Sequence, residues 1–253
     1  MRKYLVIGNH IEHSFSPLLH NFWIKKYNLN AFYEKQLLEK KDIEKILSDM
    51  RVSKIHGINV TVPFKNTVIP FLDQLSDTAQ DTQSVNTIFK RQNKLVGDNT
   101  DVYGFSEAVK LTNFNPVNKS ALILGAGGVV PSVLLALKNM GVDQITLSNR
   151  TKEKAINLKK NFPFLKVIDW GETIKSDLII NATSIGIKQN DEIKLDNSLP
   201  TLVYNYYNID PNWRKNEKVN RVLIFEPKIF LEYPVSKKCL DCLLYTSPSP
   251  RDS

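Results

Sequence analysis

The spacing of apolar residues along this chain switches repeatedly between short unbroken runs and a helical rhythm of threes and fours, as strands and helices produce in turn. Tyr4 to Gly8 is one such run and predicts a first strand. Ser16 supplies an N-cap and Pro17 occupies the first helical position, so a helix runs from there to about Lys26. That leaves His13-Ser14-Phe15-Ser16 on the loop at the strand's carboxyl end. Ala31 to Leu37 predicts a second strand, and Ile43, Ile46, Leu47 and Met50 mark one face of an amphipathic helix over Lys41 to Arg51. A third strand, Ile55 to Val62, is stopped by Pro63, and Phe64 and Lys65 lead at once into a helix. Val85 to Phe89 pairs with Lys94 to Gly97 as a hairpin, and Asp98-Asn99-Thr100-Asp101 opens into a helix carrying Gly104 and Phe105.

A polar, proline-containing linker, Thr112 to Lys119, separates this half from a second series. There Ala121 to Leu124 is a buried-type strand, Gly125-Ala126-Gly127-Gly128 a glycine turn and Pro131 to Met140 a helix. Gln144 to Ser148, a helix through Lys160, and strands near Val167, at Leu178 to Asn181 and at Leu202 to Tyr204 continue the alternation. Such alternation implies a parallel sheet covered on both faces. The expected fold class is α/β in two domains: residues 1–101 form an N-terminal α/β domain and residues 102–204 a Rossmann-like, doubly wound one. A chain of 253 residues is long for one domain and sufficient for two modest cores.

Hydrophobic residues at 42% and charged ones at 24% are ordinary globular usage, which argues against a disordered or collagen-like chain. The formal charge of +8 raises nucleic acid as a partner. The lysines are scattered, however: Lys25, Lys26, Lys35, Lys40, Lys41, Lys152, Lys154, Lys159 and Lys160 sit mostly beside acids or on polar helix faces, with no basic run that has interleaved aromatics. They read as solvated faces with an attraction for anionic small molecules, so neither nucleic acid nor membrane is an expected partner. No apolar stretch approaches a membrane span, and the N-terminal run is too short for a secretory signal. Cys239 and Cys242 are the only cysteines, which favours a reducing, cytoplasmic setting without a disulfide framework. The four histidines, His10, His13, His20 and His56, lack metal-ligand spacing with acids and read as structural or loop residues; no metal is expected.

Chemistry concentrates at the strand ends. Gly125-x-Gly127 between an apolar strand and a helix meets the demands of a dinucleotide turn: backbone freedom, close approach, and helix N-terminal amides aimed at a pyrophosphate. The third glycine of the usual pattern is replaced by Val130, so the strand-turn-helix setting carries the assignment. Asn149-Arg150-Thr151 ends the next strand, with Lys152 and Lys154 beyond. A carboxylate there would bond ribose hydroxyls and repel a 2′-phosphate, whereas a guanidinium grips one bidentately, so NADP is preferred to NAD.

Further segments fall in order along the chain: His13-Ser14-Phe15-Ser16-Pro17 with His20-Asn21, Asn59-Val60-Thr61-Val62-Pro63-Phe64-Lys65, Ser84-Val85-Asn86-Thr87, Gly97-Asp98-Asn99-Thr100-Asp101 with Gly104, and Asn181-Ala182-Thr183-Ser184-Ile185-Gly186. Together with the glycine turn they resemble the shikimate dehydrogenases from the N-terminus to about Tyr204. The resemblance implies reversible, NADPH-linked reduction of 3-dehydroshikimate to shikimate, with Lys65 and Asp101 as the catalytic pair. It assigns Ser14 and Ser16 to the substrate carboxylate, and Thr61 and Asn86 to the polyol. Gly125, Ala126, Gly127, Gly128, Val129, Asn149, Arg150, Thr151, Lys154 and Thr183 are implied for NADP(H). Helix capping is the alternative for Ser16 and explains Ser14 less well. A carboxylate beside Lys65 stabilises its charged form while burial opposes it, so the lysine acts mainly by binding and polarising the carbonyl oxygen, with Asp101 orienting it.

The family's glycine-containing segment and returning C-terminal helix, with its substrate glutamine, have no counterpart after Tyr204; no glutamine follows Gln189. Residues 205–253 are therefore expected to be foreign to the family, through a frame shift between about Asn205 and Arg214, and the closing Leu243 to Ser253 reads as translated adapter. An NAD-using quinate/shikimate dehydrogenase, a methylene-tetrahydrofolate dehydrogenase and a non-catalytic shikimate- or NADP-binding remnant are the competing readings. The chain is expected to act as a monomer or homodimer.

Overall fold

The computed structural model describes residues 1–183 apart from His10, His13, Asn113 and Thr173, together with the backbone of two later strands. The expectations for Ser184-Ile185-Gly186, the cysteine pair and the stretch from 206 onward, Val222–Ile224 excepted, lie outside the described residues. The chain divides into two units, Met1–Thr100 and a second that opens at Asp101.

The first unit runs β1 (Arg2–Gly8), α1 (Ser16–Lys26), β2 (Ala31–Leu37), α2 (Ile43–Arg51), β3 (Gly57–Val60), β4 (Gln74–Leu75), α3 (Asp77–Thr82), β5 (Thr87–Arg91) and β6 (Lys94–Asp98). Its six strands lie in the order β2-β1-β3-β5-β6-β4. β1 is parallel to both neighbours, with Val6 opposite Lys35 and Asn59, whereas β5 is antiparallel to β3 and β6. The predicted face of α2 is the buried one: Ile43, Ile46, Leu47 and Met50 join Leu5, Ile7, Ile58, Ile88 and Leu95 in one core. At about 1.5–3 kcal/mol per fully buried aliphatic side chain, these residues dominate the unit's stability.

Two local expectations are corrected. Phe64 and Lys65 lead into turns and a single 3₁₀ turn at Ile69–Phe71, not an α-helix. Pro70 explains the interruption: it has no N–H to give and disfavours helical geometry in the residue before it. The helix α1 starts at Ser16 with Phe15 in the capping position and no side-chain cap bond, so Ser16 is not the N-cap.

The second unit comprises α4 (Asp101–Lys110), β7 (Ser120–Leu124), α5 (Val130–Asn139), β8 (Gln144–Ser148), α6 (Lys152–Asn161), β9 (Lys166–Ile168), β10 (Leu178–Asn181), β11 (Leu202–Asn205) and β12 (Val222–Ile224). All six strands are parallel, ordered β12-β11-β10-β7-β8-β9. Read from the β9 edge, this is the third, second, first, fourth, fifth and sixth strand of the unit, the dinucleotide-binding order. The unbroken apolar run of β7 follows from its two covered faces. Ala121 and Ile123 pack with Val130, Val133, Leu134 and Leu137 of α5, while Leu122 and Leu124 join Ile168 and Ile179 in a second cluster.

Candidate active site

In open α/β sheets, ligands settle outside the carboxyl ends of strands, where successive connections leave in opposite directions. In the first unit that point lies between β1 and β3, since the chain passes from β1 out to β2 and then returns to β3 on β1's other side. The loops after the two strands are stitched together there. Asn9 donates its N–H to the Val62 carbonyl at 3.0 Å, and Thr61 donates to Ile7 at 2.9 Å. A Cβ added to Gly8 would come within 2.6 Å of Thr61 Cγ2, so only glycine lets the second loop approach so closely.

Ser14 and Ser16 sit half-buried on the β1 loop with their hydroxyl oxygens 3.2 Å apart, and the Ser16 N–H donates to Ser14 Oγ at 3.3 Å. Local bonding thus falls on Ser14, the reverse of the capping alternative. Lys65 follows the β3 loop and is only 8% exposed. Its carbonyl accepts the Val85 N–H at 2.7 Å, which ties the lysine's turn to the segment before β5. A lysine this deep depends on acceptors for its ammonium, because the effective cost of burying the charge is several kcal/mol. Asp101 is the first residue of α4, where the helix dipole favours an anion. Lys65 therefore belongs to the first unit and Asp101 opens the second.

Asn86 is the hub that joins these pieces within the first unit. Its backbone carbonyl accepts from Val60 at 2.8 Å and its N–H donates to Asp98 at 3.0 Å. Its Oδ1 accepts the Thr100 N–H at 3.0 Å and the Thr87 hydroxyl at 3.1 Å, and its Nδ2 donates to Thr100 Oγ1 at 2.9 Å. With both lone pairs of Oδ1 engaged, the bonding capacity left to this side chain is one amide hydrogen, a donor suited to a hydroxyl oxygen.

In the second unit the sheet's own reversal lies between β7 and β10. Gly125 has φ +103°, and a Cβ there would meet the Ala182 carbonyl carbon and oxygen at 2.8 Å and Thr183 Cγ2 at 2.9 Å. This cradle, which any side chain would fill, places Ala126 and the exposed Gly127 and Gly128 at the carboxyl edge, just before α5 begins at Val130; Val129 is buried. Gly125 donates to Ser148 at 2.8 Å and Ala182 donates to Leu124, also at 2.8 Å, so the ends of β7, β8 and β10 converge. Thr183 is held by its N–H and hydroxyl, both donating to Asn181 Oδ1 at 3.0 and 2.7 Å. Beyond β8, Asn149 Nδ2 donates to the Thr151 carbonyl at 2.7 Å, which leaves Arg150 exposed at the loop tip with Lys154 in the first turn of α6. The donor set of small residues, helix-entry amides and exposed cations fits a phosphorylated dinucleotide.

Sequence reasoning missed two features. Lys152, grouped with the other cations after β8, forms an ion pair with Asp169 at 2.5 Å. Tyr33, buried on β2, reaches Asn59 across the sheet, with nothing in the strand's pattern to single it out.

Two family profiles match the chain: "Shikimate dehydrogenase substrate binding domain" over residues 6–88 and "Shikimate / quinate 5-dehydrogenase" over residues 108–189. The NADP(+) shikimate dehydrogenase of Pelagibacter ubique is 51% identical over 93% of this chain and 91% of its own length. A crystal structure of shikimate dehydrogenase from Aquifex aeolicus superimposes with a TM-score of 0.82 at 33% identity, covering 97% of each chain. The enzyme from Thermus thermophilus, solved with NADP(H) and shikimate, gives 0.79 at 25% identity over 98% of this chain and all of its own. Residues 1–204 make up about four fifths of the chain, so a match over 93% of it runs on past Tyr204.

Proposed function

The chain belongs to the shikimate dehydrogenase family, and from that premise we propose that it reduces 3-dehydroshikimate to shikimate, reversibly, with NADPH. The observation that carries this reading is the carboxyl edge of the first sheet, which gathers paired serines, Thr61, the donor of Asn86 and a lysine 8% exposed. Ser14 and Ser16 donate their hydroxyls to the substrate carboxylate, and Thr61 and Asn86 bind its ring hydroxyls. Lys65 holds a proton at the carbonyl oxygen and polarises it, and Asp101 orients the lysine. When bound, NADPH supplies the hydride. Gly125 to Val129 would hold its pyrophosphate, Asn149, Arg150, Thr151 and Lys154 its adenosine 2′-phosphate, and Thr183 the side of the turn that faces β10.

Residues 1–101 thus serve substrate and chemistry, and residues 102–204 the cofactor. The Pelagibacter match over 93% of the chain supports a departure from family sequence later than Tyr204, and sequencing the source DNA across residues 205–253 tests this. Two cysteines in the whole chain support a cytoplasmic setting. Among the described residues, no helix is long and apolar enough to cross a membrane.

The test is absorbance at 340 nm with shikimate and NADP. Lys65→Ala and Asp101→Asn are each expected to lose about 10²–10⁴-fold in turnover. Turnover retained in both variants overturns the assignment.

A further inference from the structure

A half-buried chain of hydrogen bonds runs behind the first sheet's carboxyl edge, and its direction can be read from one backbone group. A backbone N–H can only donate, so the atom of Asn86 that meets Thr100 N–H at 3.0 Å is the amide oxygen. Thr87 Oγ1, 3.1 Å from that oxygen, must then donate to it. Its hydroxyl accepts in turn from Asn59 Nδ2 at 3.2 Å, which also lies 3.4 Å from the Asn86 carbonyl. With the nitrogen of Asn59 fixed on that side, its oxygen faces the other way and accepts the Tyr33 hydroxyl at 2.7 Å. The phenol is therefore the donor that terminates the chain, and burial, by pushing its pKa upward, keeps it protonated.

Tyr33 is itself held by two motif residues to which the functional reading gives no role. Asn21 clamps its backbone on both sides, donating Nδ2 to the Tyr33 carbonyl at 2.8 Å and accepting the Tyr33 N–H at 2.9 Å. His20 stacks on its ring with centroids 3.9 Å apart and planes 2° from parallel. Resting on the functional reading above, we propose that Tyr33, gripped by His20 and Asn21, is a positioning residue that braces the Asn59–Thr87–Asn86 chain and so holds the remaining amide hydrogen of Asn86 in place for the substrate. The chain ends at Thr100, so the same bonds set the residue from which Asp101 leaves. An asparagine amide is nearly symmetric in shape, and reversing it swaps a donor for an acceptor. Here the Thr100 N–H, which can only donate, and the Asn86 carbonyl, which can only accept, exclude the reversed amides, and the phenol fills the remaining Asn59 oxygen and braces that arrangement from the far side of β1.

Tyr33→Phe retains the ring and its stack while removing only the hydroxyl. In the full chain it is expected to lower kcat/KM for shikimate about tenfold, the effect of one lost buried hydrogen bond, with the KM for NADP within about twofold. The Asn59 and Asn86 side-chain amide resonances shift in ¹H–¹⁵N spectra without substrate. Thr87→Val cuts the same chain at its middle, so adding Tyr33→Phe to it brings little further loss. Unchanged shikimate kinetics and amide resonances in Tyr33→Phe, or strictly additive losses in the double variant, overturn the proposal. A loss that falls equally on NADP and tracks a lowered melting temperature also overturns it, because it marks a merely structural tyrosine. Calorimetric titration separates the two readings: a wild-type chain that does not bind shikimate refutes the functional reading and this one with it, whereas equal binding by wild type and Tyr33→Phe refutes this one alone.

Discussion

Replacing Gly125 with alanine puts a methyl group where the backbone of the neighbouring strand end already lies. At φ +103° an L-residue is strained whatever the space, at a cost of about 1–2 kcal/mol. The new Cβ also meets the Ala182 carbonyl carbon and oxygen at 2.8 Å, atoms that cannot rotate away as a flexible side chain would. Overpacking of this kind costs roughly a further 1–3 kcal/mol. The sum, about 2–5 kcal/mol, corresponds to a fall in melting temperature of about 4–20 °C for a chain of this size. Gly127 provides the contrast. A Cβ there lies 3.6 Å from the Ala182 oxygen, an ordinary contact, and its φ is not positive. Gly127→Ala should therefore melt within a few degrees of wild type while weakening NADP binding, because the proposed pyrophosphate contact requires close backbone approach at this exposed turn. Differential scanning calorimetry with and without NADP, followed by the KM for NADP at saturating shikimate, separates the two effects. A Gly125→Ala protein with wild-type melting, or a Gly127→Ala protein that loses as much stability as Gly125→Ala, refutes this account of the turn.

Arg150→Ala should raise the KM for NADP by about 10–100-fold and leave that for NAD nearly unchanged, since only the 2′-phosphate loses a charge-assisted partner; parallel increases for both cofactors in initial-rate assays count against the assignment. Burial lowers the His20 pKa from 6.5 to about 4, so across that interval the unfolded chain binds the extra proton and the folded one does not. The contribution to stability is fully present above pH 6.5 and is lost as the pH falls towards 4, with a ceiling of about 3 kcal/mol. His20→Phe, which keeps a stacking ring and cannot titrate, should flatten the fall in melting temperature between pH 7 and pH 4.5; an identical pH profile in the variant refutes it.

Much of the architecture is written locally. The four apolar positions of α2, the unbroken runs of β1 and β7, and the alternation of strands with helices follow from periodicities set by 3.6 residues per helical turn and two-faced strands, so they are legible without knowing what packs against what. The candidate site residues were legible for a different reason: motifs at strand ends gather side chains of suitable chemistry in contiguous segments, as in Asn59 to Lys65 and Gly125 to Val129. Proline at 70 shows where local reading stops short, because the apolar residues after Lys65 suggest a helix until the missing N–H is weighed. Relations across the sheet were not legible at all. The order β2-β1-β3-β5-β6-β4 brings Tyr33, Asn59, Thr87 and Asn86 into one hydrogen-bonded line although they come from segments up to 54 positions apart. The clash that reserves position 125 for glycine exists only because β10 returns beside β7. Which residue types this protein uses is a property of its sequence; which atom of the Asn86 amide keeps bonding capacity depends on partners that only the folded sheet supplies.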